Sequence, residues 1–481
     1  LQPLANDPGA RPAGGAPAAG EACHGDPAAH AVASVAVWRE PSESAAPALV
    51  CRGVWVMLAA IGVAALAVAT ALVVARGDQL GRLLRGYLTA YAFFASISLG
   101  ALFFVLLQHV TRAGWSVVVR RPAELLAANF PVLIVLFLPI LAAAVGPSLG
   151  ERDTGPAPAR LYPWSDPATV EHHELLRHKE PYLNPRAFAL RAAVYLAVWW
   201  ALGAYYLRRS LEQDRSGDPA LTLRMERLGP AALLLLGGTM TFAAFDWLMS
   251  LEPEWFSTIY GLYFCAGALV GALAALILAV AGLQLAGRLR RCVTAEHYHD
   301  LGKLLLAFVV FWGYMAFSQY LLIWYANIPE ETVWYLRRQQ GGWALLAVIL
   351  LFGNLLIPFC GLLSRGAKRR RGFLVFWAAW LLVFHWLDLY YLVMPSAGLA
   401  HRSPGAVEAG GMVAGVAIDA CCLLGVGALY AAAVVRRAGG PVLVEQPLDV
   451  RQERVARRDE PAHRLFHARA ERPGLLRPAA E

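Results

Sequence analysis

Residues 230–283, PAALLLLGGTMTFAAFDWLMSLEPEWFSTIYGLYFCAGALVGALAALILAVAGL, decide the fold. Two apolar runs, 230–251 and 256–283, are joined by a short polar hinge. Each run exceeds the ~20 residues that a helix needs to cross a ~30 Å hydrocarbon layer. The hinge has room for little more than a tight turn, so the stretch reads as a helical hairpin through a bilayer. Outward from it, runs of the same kind recur at 54–75, 86–108, 130–146, 187–207, 303–325, 341–363, 373–394 and 412–435. The expected fold class is an all-α integral membrane protein with ten transmembrane helices.

Composition points the same way. Of the 481 residues 58% are hydrophobic and 16% charged, against about 25% charged in a soluble domain. A water-soluble enzyme is excluded. The formal net charge of +8 does not indicate nucleic acid, because the bases sit in short clusters between the apolar runs. Those after the second, fourth, sixth and eighth runs (Arg112, Arg120 and Arg121; Arg208, Arg209, Arg215, Arg224 and Arg227; Arg288, Arg290 and Arg291; Arg365, Lys368, Arg369, Arg370 and Arg371) mark the cytoplasmic side, with both termini inside. The loops after runs five, seven and nine face outward. Arg76, Arg82 and Arg85, after the first run, break the pattern. Residues 1–50, rich in Ala, Pro and Gly, read as a disordered tail. The transmembrane domain takes 51–437, and 438–481 forms a mixed-charge cytoplasmic tail.

An ionisable side chain inside hydrocarbon costs a few kcal/mol, so each one demands a partner, a water-filled cavity or a role. In the fifth run Thr239, Asp246 and Ser250 share one helical face, which runs outward to Glu252 and Glu254. The ninth run, in VFHWLDLYYLVMP (383–395), carries His385 and Asp388 three residues apart, hence neighbours on a helix. Asp419 stands alone in GVAIDACCLLG (415–425). Asp246, Asp388 and Asp419 fall at one depth below the outward surface, the arrangement expected of a shared proton-relay site. The bland reading of any one of them is a helix–helix hydrogen bond. The seventh run offers an inward half-path: Asp300 and Lys303 at its mouth, then Tyr314, Ser318 and Tyr325 on one face. Tyr325 equally suits an interfacial aromatic belt with Trp324.

Other motifs carry less. His173, Glu174 and His178 make H-E-x-x-x-H, one residue too long for a zincin pair, so no metal site is expected. Gln108 and His109 read as a cap at the end of the second helix. Seven cysteines make no C-x-x-C, so haem attachment, cubane clusters and structural zinc are not expected in this chain. No phosphate-binding glycine loop or nucleophile elbow occurs.

Several long strings, FDWLMSLEPEWFSTIYG (245–261), LQHVTRAGWSVVVRR (107–121), KEPYLN (179–184), DLGKLLLAFVVFWGYMAFSQYLLIWYANIPEE (300–331) and WYLRRQQGGW (334–343), resemble the second quinone-interacting membrane subunit (ActF type) of bacterial alternative complex III. That subunit belongs to the NrfD/polysulfide-reductase-C family, and the likeness covers roughly residues 85–395. The resemblance implies two four-helix bundles plus two peripheral helices, in the bacterial inner membrane. It also implies a place in a quinol:cytochrome c oxidoreductase beside a sister ten-helix subunit, a periplasmic iron–sulfur subunit, c-type cytochrome subunits and lipids. No redox centre is then bound covalently here, and menaquinone or ubiquinone is the cofactor in play. Proton conduction would run through Asp246, Glu252, Glu254, Asp300, Lys303, Tyr314, Ser318 and Tyr325; His385, Asp388 and Asp419 join them on the physical argument alone. The alternative is a stand-alone ion-coupled secondary transporter, a class that usually carries inverted repeats and Gly/Pro-broken helices. No convincing repeat is read here, although Pro253 and Pro358 interrupt or flank helices.

Overall fold

The computed structural model describes residues 46–76, 80–149, 161–287, 289, 292–397 and 409–439. The two tails expected at 1–50 and 438–481 lie outside these apart from the few residues that extend the first and last helices, as do Arg288, Arg290, Arg291 and Arg402. The described residues contain no strand, and ten helical spans are long and apolar enough to cross a membrane. The protein is a multi-pass, all-α membrane protein.

In chain order the helices are α1 (Ala46–Arg76), α2 (Leu80–Val110), α3 (Val117–Ala127), α4 (Phe130–Leu149), α5 (Pro167–His172), α6 (Glu174–Lys179), α7 (Pro185–Ser216), α8 (Pro219–Trp247), α9 (Tyr260–Leu285), α10 (Ala295–Ala326), α11 (Pro329–Arg338), α12 (Gly342–Leu350), α13 (Ile357–Leu363), α14 (Arg365–Arg369), α15 (Arg371–Val393) and α16 (Ala409–Ala438). A π-helical segment, Leu351–Leu356, joins α12 to α13 within the eighth span. Local chemistry sets the ends. Pro185 and Pro219 occupy first-turn positions, behind Asn184 and Asp218, whose side chains accept from the amides of Ala187 and Ala220, both at 2.8 Å. These are the residue types that satisfy the free amides of a helix start. Gly217, at φ 68, ends α7 in the left-handed region and allows the direct return into α8.

Helices α2, α3, α4, α7 and α8 pack as one group and α9, α10, α12, α13 and α15 as a second. By spans these are two four-helix bundles, the second to fifth and the sixth to ninth. They meet along α2, α8, α9 and α15, where small residues let backbones approach. A side chain at Gly100 of α2 would run into the backbone of Ala268 on α9. Outside both bundles lie α16, packed on α2, and α1, which crosses α16 where Gly62 and Gly425 face each other.

The third span differs from its expected bounds. The sequence places a span at 130–146 and assigns Arg120 and Arg121 to a cytoplasmic loop, whereas the span runs Gly114–Gly146 and those arginines lie buried in α3. Glu124 bonds both, at 3.3 Å to Arg120 and 2.7 Å to Arg121, and Arg121 also pairs with Asp214 of α7. Mutual neutralisation lets this charged segment sit inside the bundle. Likewise, Arg82 and Arg85 are not loop residues, because α2 begins at Leu80. Arg76, at the end of α1, still departs from the charge pattern.

Candidate functional site

Aspartates, glutamates and arginines gather at one end of the bundle, the end that carries α5, α6 and α11. Asp246, near the C-terminal end of α8, is 1% exposed and clamped by Arg191 of α7, with Nε to Oδ2 at 2.8 Å and Nη2 to Oδ1 at 3.0 Å. Tyr195 donates a further bond to Oδ2 at 2.9 Å. The guanidinium stacks 3.9 Å above the Tyr182 ring. Tyr182 lies before the span; burial, then the nearby Asp246 charge, push its hydroxyl up to about 12.

Glu252, just beyond α8, bonds two arginines of α11: Arg337 at 3.0 Å and the fully buried Arg338 at 2.8 Å. Arg338 also donates to the carbonyls of Trp334, Tyr391 and Leu392 and lies 3.5 Å from the Trp334 ring centroid. Glu254 is exposed and approaches Arg337, at 3.8 Å. Asp419 of α16 pairs with Arg82 at 2.7 Å and accepts from Tyr390 Oη at 3.1 Å.

Asp388 is different. It is 2% exposed, on the α15 face turned to α9 and α10. Tyr263 Oη donates to its Oδ1, and Trp312 Nε1 donates to Oδ2 at 3.0 Å. Among the described residues no cation bonds it. One turn earlier on the same helix, His385 is 1% exposed, and its Nε2 lies 2.8 Å from Ser96 Oγ of α2. That hydroxyl also bonds the Phe93 carbonyl at 2.7 Å. A hydroxyl has one proton to give. With that proton on the Phe93 carbonyl, Nε2 is the ring nitrogen that carries hydrogen, and Nδ1 presents a lone pair. Among the described residues Nδ1 has no hydrogen-bond partner.

The expectation of a single shared site is therefore corrected. Asp246, Asp388 and Asp419 lie toward the same end of the bundle, but each has its own partner set on different helices. Three of the four buried acids at this end, Asp246, Glu252 and Asp419, are held by arginines. His385 and Asp388 are brought together, and one further turn along α15 Tyr391 touches Arg338 through its carbonyl. The half-path on α10 is also corrected. Tyr314, Ser318 and Tyr325 do share a face, but it is the outer one: Tyr314 is 61% and Tyr325 83% exposed, so this chain encloses no file of waters along them. The inner face of α10 presents Trp312 and Gln319 instead. Asp300 and Lys303 pair with each other at 2.7 Å at the opposite end of the helix. Gln108 and His109 are buried rather than capping a surface, with the His109 ring 5.3 Å from that of Tyr206. His173 and His178 are exposed on the short helices α5 and α6 and their junction.

Sequence reasoning missed Arg82, Arg191, Arg338, Tyr263, Trp312 and Ser96. For Arg82 and Arg191 a signal existed: the insertion cost that singles out the aspartates applies equally to arginines inside a span. The topology rule, which treats arginines as loop markers, hides them. Comparison with protein-family models and with curated proteins found no match.

A quinone headgroup does not fit beside Asp388 and His385. The α9 backbone at Gly267 and Gly271 closes directly on the imidazole, so that even a Cβ at either glycine would crowd the ring.

Proposed function

We propose that this chain is a proton-handling membrane subunit of a respiratory quinol:cytochrome c oxidoreductase, with no covalently bound redox centre, and that Asp388 with His385 is its proton-carrying pair. The observation that carries the proton assignment is the contrast between Asp388 and the other buried acids. A carboxylate clamped by arginine exchanges protons only at the cost of exposing a bare cation. Among the described residues Asp388 has only neutral donors, so it can hold a proton as a carboxylic acid and release it without breaking an ion pair. The respiratory setting rests on the family resemblance, which the two-bundle packing suits. Orientation follows the basic clusters: both termini and the Arg208–Arg209 end inside, with Asp388 beneath the outer surface of the bacterial inner membrane. Quinol oxidation in a partner releases two protons, and a relay below the outer face would carry them outward. The partners are the sister ten-helix subunit, the iron–sulfur subunit and the c-type cytochromes.

Affinity purification in mild detergent tests the setting: haem and iron–sulfur signals must accompany the chain. In that complex Asp388→Asn should lower quinol:cytochrome c turnover severalfold, with assembly retained. Unchanged turnover in the assembled variant rejects the relay.

One observation favours a second reading, an ion-coupled transporter. The third span is broken at Ala128 and Asn129, and the eighth contains the π segment Leu351–Leu356. These spans hold matching places in two halves of five, where transporters interrupt their helices. A colourless protein that purifies alone supports that reading.

A further inference from the structure

Helix α7 buries one face in the first bundle and turns the other outward, and the outer face carries a groove of about 460 Å³. The small side chains of Ala201 and Ala204 leave the room, beside the larger Trp200 and Tyr205, and Arg208, Arg209 and Glu212 close one end. Positions 200, 204 and 208 follow one another at i,i+4, as do 201, 205 and 209, so the groove runs along the helix. Trp200 stands about 12 Å from Arg208 in that direction. Arg191, near the other end of α7, is about 26 Å from Arg208 along the axis. The two arginines therefore lie near opposite edges of a ~30 Å hydrocarbon layer, with the apolar part of the groove between them. Two of the polar lining groups satisfy each other: Arg209 pairs with Glu212 at 2.6 Å. Arg209 also lies 5.7 Å from the Tyr205 ring centroid, and that ring packs edge-on against the buried Tyr206 at 5.4 Å. The aromatic side of the groove is thus fixed by the protein itself. Arg208 is exposed, and among the described residues it makes no ion pair. One unbalanced positive charge is left at the end of an apolar groove.

We propose that this groove binds one anionic phospholipid, with an acyl chain laid over Ala201 and Ala204 beside Trp200 and Tyr205, and the phosphate on Arg208. Charge selects the headgroup. A guanidinium at the edge of the hydrocarbon layer gains a charge-assisted pair with a lipid phosphate, and a zwitterionic headgroup brings its own cation, which offsets that gain. The length of apolar groove behind Arg208 selects a lipid over a free anion, because phosphate alone would leave it empty. Trp and Tyr beside the charge are the residue types that settle at a membrane interface. The site requires only that this end of α7 reach a headgroup layer, so it holds for either orientation of the chain and stands apart from the role given to Asp388.

The test uses the full chain as purified, stripped of lipid and then titrated with phosphatidylglycerol or with phosphatidylcholine of the same acyl chains, the bound lipids being counted by native mass spectrometry. The parent should hold one more phosphatidylglycerol than Arg208→Gln, in which affinity for that lipid falls about fivefold, while phosphatidylcholine binding is the same in both. Arg215→Gln, which removes an exposed arginine beyond the groove, should match the parent. Ala204→Trp fills the groove and should lose the same lipid with Arg208 still in place. Should Ala204→Trp fail to fold, the exposed Arg208→Gln decides alone. Equal retention of phosphatidylglycerol by the parent and Arg208→Gln overturns the proposal. So does displacement of the lipid by inorganic phosphate, which would make this a site for a free anion, and so does a density map with a protein helix seated in the groove.

Discussion

Two aspartates that look alike in sequence, Asp246 and Asp388, have opposite surroundings, and their amide variants should behave oppositely. Asp246→Asn leaves Arg191 facing a neutral amide at a site where the carboxylate is almost wholly buried. Breaking a buried pair from one side costs about 3 kcal/mol or more, so this variant should melt well below the parent. Asp388→Asn removes a group that no arginine balances, and the amide oxygen can still accept from Tyr263 or Trp312. Its melting temperature should stay near that of the parent. Thermal denaturation of both in one detergent checks the contrast, and equal losses would count against the distinction drawn between them. Tyr182 adds a pH prediction. Its hydroxyl is raised to about 12 in the fold from about 10 in the unfolded chain. The stability it contributes is full below pH ~10 and is lost as pH rises toward 12. Melting in that window should fall less steeply in Tyr182→Phe.

At the scale of the helix, contacts made by glycine divide into those that hold the core and those that hold the periphery. Gly353, in the π segment, meets the Phe384 ring, and its carbonyl accepts from Trp380 at 2.7 Å. Gly353→Val should push Phe384 aside, one residue from His385, and damage both folding yield and the relay. Gly62→Leu acts only at the crossing of α1 with α16. It should loosen α1, measured as faster proteolysis near that helix, and leave the melting of the two bundles unchanged.

Helices were the legible part of the sequence. Apolar runs bring out all ten spans, though not every boundary, because length and hydropathy act locally and the bilayer admits few alternatives. The third span shows where this fails: Arg120 and Arg121 of α3 are balanced by Glu124 of the same helix and by Asp214 of α7, a tertiary event that no window average registers. The candidate site was half legible. Spacing on one helix placed His385 beside Asp388. Which acid lacked a cation depended on Arg82, Arg191 and Arg338, brought in from helices far away in the chain. Periodicity put Tyr314, Ser318 and Tyr325 on one face of α10 but could not say that the face looks outward.

For the whole molecule, the ion pairs of Asp246, Glu252 and Asp419 and the Asp388 site lie toward one end, and the Arg121–Asp214 pair with the basic clusters after α7 toward the other. If the latter face the cytoplasm, cysteines introduced at Glu171 and at Arg209 should label from opposite sides of sealed membranes, the first from outside. Labelling of Arg209→Cys from outside would reverse the orientation and turn an exit for protons into an entry.

The central claim is that Asp388, and not the arginine-bound Asp246, passes the proton. Its most direct test is the number of protons released per electron by the assembled complex in sealed vesicles during a few turnovers. The account predicts that Asp388→Asn lowers this ratio or stalls release, while Asp246→Asn, in whatever fraction stays folded, keeps it. A normal ratio and rate in Asp388→Asn, with the deficit appearing in Asp246→Asn, would contradict it.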